Sequence, residues 1–170
     1  ATLATIGSRA VKPLLDALGD KDRQQRSIGL DVLSYVKNPS AGAALFNFAT
    51  GDATRALRTR AMLACGALDD SAMAERLANF LQEAKLDAPR DSITTAAAWG
   101  LARSGAKRHA KTLTRLLRAS NPDIRALAAL GLGRSKATAQ SENLSTLARE
   151  SQDGPLPRAA AIVALGLLGG

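Results

Sequence analysis

The chain has 170 residues and a formal net charge of +8, and 46% of the residues are hydrophobic but only 3% aromatic. Alanine and leucine must therefore fill the core. No stretch approaches the ~18–20 consecutive apolar residues that a membrane-spanning helix requires. A single cysteine and a single histidine exclude an internal disulfide and any metal site built on several histidines.

The first segment of the chain predicts three helices in a weak repeat register. The opening ATLATIG, which closes at Gly7, predicts the end of one helix. RAVKPLLDAL predicts a second, amphipathic helix. Because a proline inside a helix removes a hydrogen bond, this second helix must begin near Ala10 to tolerate Pro13. RSIGLDVLS predicts a third helix and places three residues in the repeat columns described next: Arg26, Gly29 and Ser34.

Four alanine-rich stretches further along the chain each end at a glycine: Gly66, Gly100, Gly133 and Gly166. The glycines are 34, 33 and 33 residues apart, and a fixed period of this size is typical of stacked-repeat proteins. A glycine inside a helix costs about 1 kcal/mol relative to alanine, so we expect a neighbouring helix to pack closely against each of them. The stretches are RTRAMLACG, SITTAAAWG, RALAALGLG and RAAAIVALG.

Amphipathic segments alternate with these stretches, and turn-forming Asp, Asn, Ser and Pro residues separate the two kinds. Asp, Asn and Ser side chains can cap helix N-termini, and proline suits a first helical turn. The alternation predicts an all-α fold of about five two-helix units, preceded by a leading helical fragment. After RAVKPLLDAL, the amphipathic segments are AGAALFNFAT, AMAERLANFLQEA, HAKTLTRLLRA and SENLSTLARES.

Two of the units, NPDIRALAALGLGRS and PLPRAAAIVALGLLG, resemble HEAT repeats of the short bacterial, bilin-lyase-like type. The resemblance covers essentially all of residues 1–170 as a single repeat array. It implies a right-handed α-α superhelix, an α-solenoid, of about five two-helix HEAT-like repeats. In that family the first helix of each unit lies on the convex face and the second on the concave face, which is the default binding surface.

The resemblance also implies roles for residues near the starts of the second helices. In HEAT repeats an Asp and an Arg at this place commonly join neighbouring units. Here the corresponding residues are Asp123, Arg125 and, in part, Arg58 and Arg158. Ser92 occupies the position that is equivalent to Arg58, Arg125 and Arg158 in its repeat. A series of such links between neighbouring units would therefore be interrupted at Ser92.

The excess positive charge lies in one segment, Arg103 to Lys136, which has nine basic residues and a single acid. Four of the bases are spaced 3, 4 and 3 residues apart, which predicts one stripe along a helix. The stripe is either a solvated outer face or an anion-binding patch for a nucleic-acid backbone, an acidic protein or lipid headgroups. The scarcity of aromatic residues disfavours base stacking. The four residues are Arg108, Lys111, Arg115 and Arg118.

The sequence predicts no catalytic site, no metal site and no cofactor. His109 lies among basic residues and is expected at the surface. Nothing places a nucleophile beside it. Cys65 and Trp99 precede glycines of the repeat column, so both are expected in the core. The paired His-Glu motifs of an iron-dependent HEAT-like hydroxylase are absent.

We therefore expect a non-enzymatic scaffold that binds another protein through the concave face of the solenoid. Polyanion binding through the Arg103–Lys136 patch is the alternative, and a lyase or glycosylase is a third reading. Neither end of the chain has a polar capping repeat. For that reason we expect the chain to be part of a longer protein or to associate end to end with another chain. A soluble, cytoplasmic location is favoured.

Overall fold

The computed structural model describes residues 3–51, 53–68, 70–88, 91–105, 107–149 and 154–169, with side chains from Arg9 onward. Within these residues all regular structure is helical, which confirms the predicted all-α class. The α-helices are α1 (Leu3–Leu18), α2 (Arg23–Val36), α3 (Gly42–Thr50), α4 (Arg55–Ala67), α5 (Ser71–Glu83), α6 (Ser92–Ser104), α7 (Ala110–Leu116), α8 (Pro122–Arg134), α9 (Ser141–Arg149) and α10 (Pro155–Gly169).

The helices follow one another as five pairs, and we call the odd-numbered members first helices and the even-numbered members second helices. Short 3-10 turns precede α3, α7 and α9; they span Pro39–Ala41, Lys107–His109 and Thr138–Gln140. The contacts within the chain divide it into two compact units, one up to Met73 and the other from Ala74 onward.

In the first unit, α1 packs against α2, α3 against α4, and the second helices α2 and α4 against each other. Arg60 of α4 forms an ion pair with Asp31 of α2, with 3.0 Å between NH1 and Oδ2. Both side chains are about half exposed, so the pair contributes little stability. The stability of this unit comes from its apolar core, which contains Leu30, Leu33, Leu45, Leu57 and Met62.

The predicted break before Ala10 is wrong, because α1 is one continuous helix from Leu3 to Leu18 with Pro13 inside it. A proline at this place leaves the carbonyl four residues earlier without its helical hydrogen bond. That residue is Arg9, which is exposed, so water can satisfy the carbonyl. The leading fragment and the second predicted helix are therefore one element, the first helix of the first pair.

In the second unit the second helices form a row, in which α6 packs against α8 and α8 against α10. Each of the last two first helices packs against its own partner, α7 against α8 and α9 against α10. A hydrogen bond from Gln82 Nε2 to Thr112 Oγ1 (3.2 Å) connects α5 with α7. The core of this unit contains Leu81, Leu101, Leu113, Leu116, Ile124, Leu132 and Leu144.

Polar side chains in the turns cap the helices that follow them. Asn121 Oδ1 accepts a hydrogen bond from the Asp123 backbone N–H (2.9 Å) and so caps α8. Asn121 Nδ2 donates to Thr95 Oγ1 on α6 (3.1 Å), so the cap also fixes α8 against its neighbour. Asp91 caps α6 in the same way, accepting from the Ile93 N–H at 3.0 Å.

The four repeated glycines differ in how closely another helix packs against them. A Cβ added at Gly133 would lie 2.7 Å from Ala164 Cα and 3.1 Å from the Ala164 carbonyl oxygen, so α8 and α10 approach each other closely there. Gly66 and Gly100 are buried. Gly166 contradicts the expectation, because it is exposed and no heavy atom lies within 4 Å of its added Cβ. The reason is that no described helix covers this face of α10.

Candidate functional site

The predicted basic stripe does not lie on one helix. Helix α7 begins at Ala110 and ends at Leu116, so Arg108 precedes it and Arg118 follows it. Gly105 ends α6 in the left-handed conformation with φ +59°, and a 3-10 turn from Lys107 to His109 then leads into α7. The regular spacing of the four bases in the sequence therefore does not give one face.

Two of the four bases face the preceding first helix, α5. Arg115 NH1 donates to the Leu81 carbonyl (2.7 Å) and NH2 to the Ala84 carbonyl (3.0 Å). A guanidinium at this place satisfies carbonyls that have no helical partner, and it complements the negative end of the α5 dipole. Arg108 Nε lies 3.7 Å from Glu75 Oε2 on the same helix. Arg115 is therefore a helix cap.

The other two bases, Lys111 and Arg118, are exposed. Arg118 lines a cavity of about 230 Å³ between α7 and α9. Within the part of the chain that the structure describes, neither side chain forms an ion pair. These two cations are the members of the stripe that remain open to an anionic partner. The cavity is lined by Thr114, Leu117, Arg118, Asn143, Thr146 and Leu147.

Three arginines at equivalent repeat positions each cap the first helix of their own pair; they are Arg58, Arg125 and Arg158. Arg58 Nε donates to the Ala49 carbonyl at the end of α3 (2.9 Å). Arg125 NH1 donates to the carbonyl of Ala119 after α7 (2.7 Å), and Arg158 Nε donates to the Ala148 carbonyl of α9 (3.3 Å). These bonds join the two helices of one pair, whereas the resemblance implied links between neighbouring pairs.

Asp123 occupies the first turn of α8 and is exposed. A carboxylate there complements the positive end of the helix dipole. Its backbone N–H is the group that Asn121 caps. Asp123 thus has a local role at the start of its own helix.

His109 is buried, with 4% of its surface exposed, so the expected surface position is wrong. Its Nε2 accepts a hydrogen bond from Arg108 Nε (3.1 Å) and lies 3.9 Å from Glu75 Oε2. Burial lowers the pKa of His109, Glu75 raises it, and Arg108 lowers it further, with a net shift downward from 6.5. An imidazole nitrogen that accepts from a guanidinium carries no proton, so the geometry agrees with the direction of the shift.

Cys65 is buried, as its column position indicated. Trp99 is only partly buried, and the Arg103 guanidinium carbon lies 5.6 Å from its ring centroid, within range of a cation–π contact. Over the described residues, no three His, Cys, Asp or Glu side chains come together in a group that could hold a metal ion. Every described helix is too short or too polar to cross a membrane.

Two of the second helices, α2 and α10, each carry several large apolar side chains in solvent, whereas α4 carries one, Leu63. On α2, Ile28, Val32 and Tyr35 are exposed, with Tyr35 at 84%. They follow one another at spacings of four and three residues, so they share one face. On α10 the exposed side chains are Leu156, Ile162, Val163 and Leu167. Exposed apolar residues gathered on one face commonly mark a binding surface.

A row of second helices backed by first helices, with small residues at the crossings, defines an α-helical repeat protein. Residues 83–166 match the family model described as HEAT repeats. The matched part of the chain runs from the end of α5 into α10 and is similar to HEAT repeats. A sequence comparison with curated proteins gives no match.

Among solved structures, the chain is similar to one in the complex of CpcE and CpcF of phycocyanin lyase from Nostoc sp. PCC7120. The TM-score is 0.77 at 21% identity, over 93% of this chain and 64% of that chain. This chain therefore corresponds to less than two thirds of that protein's length. At this identity the likeness shows the fold, and the fold is that of a protein found in complex with another.

Proposed function

We propose that the chain is a non-enzymatic scaffold that binds another protein through the surface of its second helices. The observation that carries the proposal is the row α6, α8 and α10, whose members pack against one another in order. Repeat proteins use such rows as extended binding surfaces. The similar chain from Nostoc is part of a complex of two proteins, which supports a protein as the partner.

We assign the proposed surface to α8 and α10. On α8, Asp123, Leu130 and Arg134 lie on the side opposite Ala128 and Leu132, which are buried. The same three positions 33 residues later are Leu156, Val163 and Leu167, all exposed on α10. One helix therefore contributes charged groups at its two ends, and the next contributes three apolar side chains. Such a mixture suits a protein partner better than a uniform polyanion.

Among the residues that line it, the cavity beside Arg118 has one ionisable group, the guanidinium. Its other lining residues are threonine, asparagine and leucine, and none of these titrates near neutral pH. A general acid or base would need such a group within hydrogen-bond reach of a substrate.

The scaffold proposal is tested by affinity capture from a lysate of the source organism, followed by mass spectrometry. We expect Leu130→Glu combined with Val163→Glu to lose proteins that the wild-type chain retains at moderate salt. The control is Lys111→Glu with Arg118→Glu, which reverses charge on the α7 side and should keep the same proteins. An identical set of proteins for both variants would contradict the assignment of the surface.

Polyanion binding is a second candidate, because Lys111 and Arg118 are exposed in a segment that carries the whole net charge. With Arg108 and Arg115 engaged by α5, about two phosphates would be neutralised rather than four. The logarithm of the affinity for duplex DNA should then fall against the logarithm of salt with a slope of about −1.8 instead of −3.6. A titration that detects no duplex binding at low salt would exclude this function.

A further inference from the structure

The cavity of about 230 Å³ between α7 and α9 has an apolar base and a polar mouth. Two leucines among its lining residues are withdrawn from solvent, Leu117 partly and Leu147 fully, whereas Arg118, Asn143 and Thr146 are exposed. Sites for drug-sized ligands have volumes of about 300–1,000 Å³. This cavity therefore suits a smaller ligand that has one polar and one apolar end.

The polar side chains at the mouth of the cavity have hydrogen-bond donors that the protein leaves unused. Among the residues that the structure describes, neither the Arg118 guanidinium nor the Thr146 hydroxyl has a hydrogen-bond partner. Asn143 uses one amide N–H, which it donates to Gln140 Oε1 (2.8 Å), and keeps the second. The Thr114 hydroxyl has no proton to spare, because it donates to the backbone carbonyl one turn earlier (2.8 Å). Three side chains can thus donate to a ligand.

The charge of the lining residues indicates the charge of the ligand. Arg118 is the one charged side chain among them, and none of the described lining residues is acidic. A guanidinium can bind a carboxylate through two parallel N–H···O bonds. A carboxylate balances this single positive charge, whereas a phosphate monoester carries up to two negative charges and would leave one of them unpaired. The lining therefore favours a monoanion.

We propose that the cavity between α7 and α9 binds a small monocarboxylic acid with a short aliphatic chain. The carboxylate accepts hydrogen bonds from Arg118, Thr146 and Asn143, and the aliphatic chain packs on Leu117 and Leu147. Each CH₂ group that becomes buried should improve the affinity about fourfold. This site does not depend on the scaffold function, because the surface proposed for a protein partner lies on α8 and α10.

Titration of the ¹⁵N-labelled 170-residue chain with butyrate, followed by NMR at constant ionic strength, tests this site. We expect saturable shifts in the backbone amides of the lining residues, with a Kd on the order of a few millimolar. Acetate has two CH₂ groups fewer and should bind roughly fifteenfold more weakly. Butyramide has the same shape as butyrate but no charge, so it should cause no saturable shifts.

Substitutions distinguish this site from a general attraction of anions to α7. Arg118→Gln should weaken butyrate binding at least about tenfold, and Thr146→Val, which keeps the side-chain shape, about fivefold. Both residues are exposed, so both variants should fold. The matched control is Lys111→Gln, which removes an exposed cation that does not line the cavity. Lys111 lies roughly 10 Å from Arg118 along the helix axis, which is about one Debye length at 0.1 M salt, so the Kd should change less than about twofold.

Four results would overturn the proposal. Equal weakening by Arg118→Gln and Lys111→Gln would show that butyrate is attracted by the net charge of the segment and not by the cavity. Shifts that do not saturate at butyrate concentrations well above the expected Kd would show that there is no site. Tighter binding of inorganic phosphate than of butyrate would replace the carboxylate with a phosphate group. Tighter binding of N-acetylglutamate amide than of butyrate would place a glutamate side chain of another protein in the cavity instead of a free acid.

Discussion

Helices α8 and α10 carry closely similar sequences, RALAALGLG and RAAAIVALG, but the structure uses their faces differently. Gly133 lies under the backbone of Ala164, whereas Gly166 has open space around it. Arg125 makes a short bond to the preceding first helix, whereas the bond of Arg158 is longer and more exposed. The comparison shows that a repeat position specifies which way a residue points, and that its burial depends on which helix comes next.

The largest expected difference between the two helices is at their glycines. Gly133→Ala should lower the free energy of unfolding by about 2–3 kcal/mol, because the new methyl group meets backbone atoms of α10 that cannot move away independently. Gly166→Ala should raise it by up to about 1 kcal/mol, because alanine is the better helix former and nothing obstructs its methyl group.

Urea unfolding of both glycine variants measures the two changes in the free energy of unfolding. Equal effects of the two substitutions would show that α8 and α10 are not as closely packed at Gly133 as described.

Substitution of the equivalent arginines, Arg125 on α8 and Arg158 on α10, should also change the free energy of unfolding unequally, but by less than the glycine substitutions. Arg125→Met removes a 2.7 Å hydrogen bond to a carbonyl and should cost about 1.5 kcal/mol. Arg158→Met removes a 3.3 Å bond at an exposed site and should cost less than about 0.5 kcal/mol. Chemical denaturation of each variant measures the change in the free energy of unfolding. Arg125→Lys serves as the control that keeps the charge without the planar guanidinium, and it should lose much of the same stability.

The smallest expected effect is at His109, which lies in the turn just before α7; the equivalent residue 33 positions later is Glu142 of α9. The pKa of His109 is lowered in the folded chain, so the unfolded chain binds more protons below its ordinary value of 6.5. Stability should therefore be complete above that pH and should fall as the pH drops through it toward the folded-state pKa.

His109→Gln should lack this contribution to the fall in stability between pH 7 and 5. Thermal unfolding of both chains across this range provides the measurement. Parallel pH profiles of the two chains would mean that His109 does not titrate in this range.

The fold could be predicted from the sequence because its signals are local. The alternation of amphipathic and alanine-rich segments gives the helix pairs, and residues such as Asn121 mark where helices start. The proline rule was misleading at Pro13, because the carbonyl that loses its bond, at Arg9, is in solvent. A proline inside a helix is unfavourable because a carbonyl loses its hydrogen bond, and this loss costs less when water can bind the carbonyl instead.

The candidate site could be predicted only in part, because its properties depend on contacts between elements. The spacing of Arg108, Lys111, Arg115 and Arg118 contains no information on where α7 ends, or on the carbonyls of α5 within reach of Arg115. Burial of His109 likewise depends on the approach of α5. The exposure of Ile162 could have been suspected, since it replaces an alanine that is constant in α6 and α8.

The arginine caps bear on how such a chain can change its length. Because Arg58, Arg125 and Arg158 each bond to the first helix of their own pair, a cassette of one pair carries both the guanidinium and the carbonyl that it satisfies. In-frame duplication or loss of a pair would leave these three bonds intact, whereas the bonds from Arg115 of α7 to the end of α5 join two different pairs and would be broken or rebuilt. This fold can therefore gain or lose pairs through recombination without first re-evolving the bonds that hold each pair together.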